Sequence, residues 1–139
     1  MSLYRDFQDF LAQYPLDPYT VFRTGLGLMI LLSGIHKLVD PVVWSSYIAP
    51  TFADLLNQID LQNSVFMQIN GVFEIIFGTS ILLDKYTTAA AGVVTLSLAG
   101  IIVNLGLAGT GYLDIIIRDL GLLLLSTGVT LQAVRREKK

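Results

Sequence analysis

Residues 87–111 read TTAAAGVVTLSLAGIIVNLGLAGTG, 25 positions without one charged side chain. A bilayer core needs about 20 mainly apolar helical residues to cross it, and this stretch supplies them. A soluble helix of that length, apolar on every side, would be out of place in a chain of 139 residues, because a small domain has too little interior to surround it. Lipid is therefore the solvent in which the rest of the chain has to be read. Backbone polar groups in lipid must be satisfied within the segment or around a closed barrel. The sequence accordingly predicts an all-α integral membrane protein.

Working outward from that stretch, the spacing predicts three more spans. "LDKYT" makes a tight turn before it, and a second span covers about 64–83. "GTGY" turns after the third span, 87–108, and a fourth follows over about 113–134. Toward the N-terminus, Asp17 is a good N-cap and Pro18 suits the first helical position, so a first span covers about 19–38. Residues 2–14 place Leu3, Phe7, Phe10, Leu11 and Tyr14 at helical spacing, which predicts a short interfacial helix ended by Pro15. Asp40-Pro41 starts another helix, and "TFAD" at 51–54 resembles a capping box. With Trp44 and Tyr47 at headgroup level, residues 41–60 read as outer interfacial helices. The whole chain, 1–139, is one membrane domain: a four-transmembrane-helix bundle with short interfacial helices at the N-terminus and between spans 1 and 2.

Composition agrees and narrows the chemistry. Hydrophobic residues make up 53% and charged residues 14%, well below the quarter usual for soluble domains. A net charge of −2 makes no case for nucleic acid. There is no cysteine, which removes disulfides, iron–sulfur ligation and thiolate zinc sites together. The one histidine, His36, rules out a bis-histidine haem within one chain, and no metal site is expected. "MSLYRDFQDFLAQYP" lacks the basic region and apolar core of a cleaved signal peptide.

Four spans put both termini on one side. That side carries Arg5, Arg23, Lys85, Arg135, Arg136, Lys138 and Lys139, against Lys37 on the other. The asymmetry predicts cytoplasmic termini in a multi-pass protein of the cell membrane. Arg23 is expected to snorkel to the headgroups and Lys37 to do the same at its own helix end.

Small residues are expected where helices meet in lipid. Gly27 and Gly34 share a face with Arg23 and Lys37. Gly71 and Gly78 cluster with Asn70 and Glu74, and Gly100 with Ser97 and Asn104. On the fourth helix Asp114, Arg118, Gly121, Leu125 and Gly128 follow one face, which is therefore expected to point inward. Asp119 lies about 100° away with Ser126 and Thr130. At about 1.5 Å per residue, His36, Lys37, Asn70, Glu74, Asn104, Asp114, Arg118 and Asp119 all fall in the outer half of the bundle. Neighbouring positions do not face each other on a helix, so Arg118 is expected to pair with Asp114 or Glu74, and Asp119 to find Lys37 or Asn104 or else to stay protonated.

Three segments carry a family resemblance: "FRTGLGLMILLSGIHKLVDPVVW", "NGVFEIIFGTSILL" and "IIIRDLGLLLLSTGVTL". Together with Gly34, Lys37 and Asp40-Pro41, Glu74 and the Arg118-Asp119 pair, they resemble the DoxX/DoxD family of small four-span membrane proteins. Some members of that family are the membrane subunit of a thiosulfate:quinone oxidoreductase, and others accompany redox-stress or assembly proteins. The resemblance implies a membrane subunit of a larger complex, contacting quinone for a partner oxidoreductase. The alternative is a non-catalytic accessory, assembly or scaffold subunit; transport is a third and weaker reading. No cofactor is intrinsic to the chain, and quinone is the one the resemblance implies. The lipid bilayer and other protein subunits are the expected partners.

Each candidate has a sharp and a plain reading. Glu74 is a proton acceptor beside a quinone, or half of a Glu–Arg strut. Arg118 binds a quinone carbonyl or an anion, or pairs with Asp114. Asp119 relays protons, or hydrogen-bonds a neighbouring helix. His36 is a haem ligand or a quinone partner, or a surface hydrogen-bonding group.

Overall fold

The computed structural model describes residues 2–138. Helix α1 covers Ser2–Gln13, α2 Pro18–Val39, α3 Pro41–Ser45, α4 Pro50–Gln58, α5 Asn63–Leu82, α6 Thr87–Ala108 and α7 Leu113–Glu137, with a single 3₁₀ turn at Thr110–Tyr112. No strand occurs among the described residues. The four long helices, α2, α5, α6 and α7, pack as a bundle of two hairpins, α2–α5 and α6–α7. Among the described residues, α2, α5 and α6 are long and apolar enough to cross a membrane. Their outward faces hold large apolar side chains such as Phe22, Ile76 and Leu96, the surface that a lipid solvent favours.

Helix α2 starts where its sequence directs, with Asp17 at the N-cap and Pro18 at the first position. Asp40 caps α3 by accepting from the Val43 N–H. The 51–54 capping box does not form. Pro50 takes the first position of α4 and Ala49 the N-cap, with no side-chain cap; a fixed proline φ starts the helix earlier than the box would.

Hairpin α2–α5 is held by two reciprocal glycine pairs. A Cβ on Gly34 would stand 2.6 Å from the Gly71 carbonyl, and one on Gly71 would stand 2.8 Å from the Gly34 carbonyl. A Cβ on Gly78 would stand 2.6 Å from the Leu31 nitrogen, and one on Gly27 3.1 Å from the Gly78 carbonyl. The two helices therefore touch backbone to backbone, the geometry that small residues permit in lipid.

Hairpin α6–α7 is built differently. Gly100, Gly121 and Gly128 have nothing within 4 Å of a built Cβ among the described residues, so none of the three is a packing position. The face of α7 expected to point inward points out. Its buried residues are Asp119, Ser126, Val129 and Ala133, the stripe next to the glycines. Ser126 accepts from the Thr95 hydroxyl at 2.9 Å, and Ala90 and Ala91 of α6 complete the contact.

One end of the bundle is closed. Leu26, Ile30, Ile81, Val94, Leu98 and Val129 form its core. Arg23 does not snorkel. It is buried, and its guanidinium donates to the carbonyls of Ile81 and Leu82 in the last turn of α5. Those carbonyls lack intrahelical donors, and the negative end of the helix dipole favours a cation there. Tyr19 and Thr87 both donate to Asp84, and Arg136 of α7 pairs with Asp17 before α2. Partial desolvation pushes the Asp17 carboxyl up, but the Arg136 guanidinium and the Thr20 hydroxyl outweigh it and hold it below the ordinary carboxylate range.

Candidate functional site

At the other end the two hairpins splay apart. A cavity of about 780 Å³ opens between them, within the size range of small-molecule sites. Helices α3 and α4 cross its mouth. The residues that bring it polarity are His36, Lys37, Asn70, Glu74, Asn104, Arg118 and Asp119, contributed by α2, α5, α6 and α7. Seven of the eight residues expected in the outer half line this one space. Asp114 is exposed and is not part of the lining.

Their pairing differs from the expectation. Lys37 does not snorkel. It is 3% exposed, and its ammonium donates to Glu74 Oε1 at 2.5 Å and to Asn70 Oδ1 at 2.6 Å. The strut on Glu74 is therefore Glu–Lys across α2 and α5, and Arg118 takes no part in it. The ammonium also lies 4.7 Å from the centre of the Trp44 ring, within cation–π reach. Glu74 Oε2 is buried with no hydrogen-bond partner among the described residues.

Arg118 pairs with its neighbour. Its Nε donates to Asp119 Oδ1 at 3.0 Å, and its Nη2 lies 3.0 Å from the same oxygen. The rule against neighbouring pairs concerns where Cβ atoms point; a guanidinium on a long stem can fold back over one residue. Asp119 is buried while Arg118 is half exposed. Two ion pairs thus line the cavity, and their formal charges cancel.

Asn104 acts on the roof. Its amide donates to the Tyr47 carbonyl at 2.7 Å and its carbonyl accepts from the Ala49 N–H at 3.0 Å. This fixes the four-residue break between α3 and α4. Tyr112 donates to the Ser46 carbonyl at 3.0 Å. Trp44 donates from its indole to His36 Nδ1 at 2.7 Å, so the other ring nitrogen of neutral His36 carries the proton. His36, Trp44, Tyr47 and Tyr112 follow one another edge to face at centroid separations of 5.8–6.0 Å. Asn104→Ala is expected to free the roof, each lost bond being worth about 1 kcal/mol. Hydrogen exchange of residues 45–53 should rise while that of α5 stays unchanged; equal protection in both proteins would deny Asn104 this role.

Trp44 and Tyr47 line the cavity, although their sequence setting suggests only headgroup anchors. The available signal was the helix break at Asp40-Pro41, which turns the chain back over the end of α2 and brings Trp44 to His36. Ser97, which shares a face with Asn104, also lines the space, as do Ser33 and Met67, which carry no motif that would have marked them. Among the described residues there is no cluster of metal-ligating side chains.

The DoxX family model matches residues 19–106. The chain belongs to the DoxX family. The match covers α2 to α6 and stops before α7, so Lys37, Asn70, Glu74 and Asn104 lie within it and the Arg118-Asp119 pair does not. No curated protein and no solved structure matches the chain. Family and apolar helices together make this DoxX chain a helical membrane protein.

Proposed function

We propose that this DoxX chain is the membrane subunit of a larger redox complex, and that its cavity holds the head group of a quinone. The carrying observation is the convergence of seven polar residues from four helices on one cavity of about 780 Å³ whose two ion pairs cancel. A neutral cavity suits a neutral ligand. Most of its remaining lining, including Met29, Ile101 and Leu122, is apolar, as a ligand arriving from the bilayer requires. The chain has no cysteine and one histidine, so the electrons for a bound quinone come from a partner protein.

The same reading makes α7 the fourth span. It has 25 residues, about 37 Å of helix at 1.5 Å per residue, and it lies along α6. Helices α1, α3 and α4 then sit at the membrane surface. Residues 3–13 of α1 are exposed throughout, Phe7 and Phe10 among them, which suits an amphipathic helix in the headgroup region. With Arg23 and Lys37 buried in internal contacts, the basic residues on the surface of the closed end are Arg5, Lys85, Arg135, Arg136 and Lys138 among the described residues, against Arg118, paired with Asp119, at the cavity end. That end faces away from the cytoplasm, and both termini face into it. Cysteines introduced singly at Ser2, Asn57 and Lys139 should be labelled from outside the intact cell only at Asn57; labelling at either terminal position would invert the topology.

A second reading is an accessory or scaffold subunit. It is favoured by the internal partners that Lys37, Asn70, Asn104 and Asp119 already have. The chain purified in mild detergent decides between them. The quinone reading expects about one quinone per chain, in either redox state, and roughly tenfold less in Arg118→Lys, because an ammonium cannot reproduce the guanidinium fork. No retained quinone, with partners still co-purifying, would favour the scaffold.

A further inference from the structure

We infer that the cavity selects the hydroquinone over the quinone, with Glu74 accepting a hydrogen bond from a ligand hydroxyl. This rests on the reading of the cavity as a quinone site and adds which redox form it holds.

The ground is a mismatch of donors and acceptors around Glu74. An ammonium has three N–H groups. That of Lys37 is directed to Asn70 at 2.6 Å and Glu74 at 2.5 Å, with the Trp44 ring face 4.7 Å away. Two of the three N–H groups of Lys37 are therefore committed to α5, and the Trp44 ring stands beside the ammonium. Glu74 has one oxygen engaged and the other, Oε2, bare, although the residue is 5% exposed and lines the cavity. A buried polar oxygen without a donor is costly, and lipid tails have none to give. As the anion of an ion pair, Glu74 is an acceptor only.

A quinone carries two carbonyl acceptors. Placed against Oε2, it sets oxygen against oxygen and leaves the carboxylate bare. A hydroquinone carries a hydroxyl at each end, and each hydroxyl both donates and accepts. One donates to Glu74 Oε2. The oxygen of the other accepts from the free N–H groups of Arg118, or from His36, whose protonated ring nitrogen is set by the Trp44 bond. The donors on that side serve either redox form, whereas the acceptor at Glu74 serves only the reduced one. The preference therefore resides in Glu74.

Glu74→Gln should reverse it. The Lys37 ammonium can accept no hydrogen bond, so it fixes the Gln carbonyl where Oε1 stands. The amide nitrogen then replaces Oε2 and becomes a donor, which suits a quinone carbonyl.

The test is calorimetric titration of the detergent-solubilised full chain with three probes: duroquinone, durohydroquinone kept reduced without oxygen, and durohydroquinone dimethyl ether. Binding to empty micelles is subtracted. The ether keeps the ring and removes both donors without redox chemistry. Wild type should bind durohydroquinone at least about tenfold more tightly than either of the others, the fold-change of one hydrogen bond to a charged group. Glu74→Gln should bind duroquinone the more tightly. Equal affinity for duroquinone and durohydroquinone in wild type would overturn the selectivity while leaving the quinone site standing. Tighter binding of duroquinone to wild type would also overturn it, by showing that Oε2 carries a proton. Failure of all three probes to bind would sink the quinone site itself. Should Glu74→Gln not fold, the three wild-type affinities decide.

Discussion

Lys37→Met is expected to destabilise the bundle by about 3–5 kcal/mol, the loss that follows when one partner of a buried ion pair is removed. Lys37 and Glu74 are both almost wholly buried and stand 2.5 Å apart on facing helices. Without the ammonium, the carboxylate keeps its burial and loses its counter-charge, and Asn70 Oδ1 loses its donor. Lys37→Met with Glu74→Met replaces the whole pair by apolar side chains of similar length. Such replacements are often neutral, so the double variant should recover most of the loss. The coupling separates a strut from two independent groups. Unfolding in a mixed-micelle detergent titration, followed through Trp44 beside the pair, measures it. Additive losses would mean that Lys37 and Glu74 do not act together.

The second large effect belongs to the glycines of hairpin α2–α5. Gly34→Val should cost about 3 kcal/mol or more, because even its first carbon would overlap the Gly71 carbonyl, the Glu74 Cβ and the Ile75 nitrogen, at 2.6, 2.9 and 2.9 Å. Two of these are backbone atoms, so relief requires the helices to separate, and separation draws Lys37 away from Glu74. Gly121→Val and Gly128→Val, both facing open space, should change stability by less than about 0.5 kcal/mol. The same titration compares them. Similar losses at Gly34 and Gly121 would mean that α7 packs through its glycine face after all.

These two results bear on what the sequence could reveal. The long helices were legible because an uncharged run such as 87–108 has few physical alternatives. Their observed limits, Pro18–Val39, Asn63–Leu82, Thr87–Ala108 and Leu113–Glu137, fall close to the expected ones. The polar cavity was legible as well, because polar residues at one depth on four helices have to share whatever space the bundle leaves.

The partners were harder to read. Helix α7 offers two stripes about 100° apart, and the rule for small residues favoured the one with glycine. The actual contact uses Ser126 and alanines, which are also small, and adds the Thr95 hydroxyl bond. Once Arg118 was turned inward on that mistaken face, Glu74 seemed to be its partner. A better signal lay in the spacing. Gly27 and Gly34 are seven apart, as are Gly71 and Gly78. Set antiparallel, the pairs place Lys37, one turn past Gly34, beside Asn70 and Glu74. Long basic side chains were also read as snorkelling because they lay near span ends. Both Arg23 and Lys37 instead turn inward, to the carbonyls at the end of α5 in one case and to a carboxylate in the other.

The central claim is that a quinone head group occupies the cavity between the hairpins. The most direct measurement is photolabelling of the membrane-embedded chain with an azidoquinone, followed by mapping of the labelled residues by mass spectrometry. Label is expected on cavity-lining residues such as Met29, Met67 and Leu122. It should be lost with excess unlabelled quinone and in Ser97→Phe, which fills the space from α6. Label spread over the outward-facing Leu96, Ile117 and Leu124, unchanged by competitor and by Ser97→Phe, would contradict the claim.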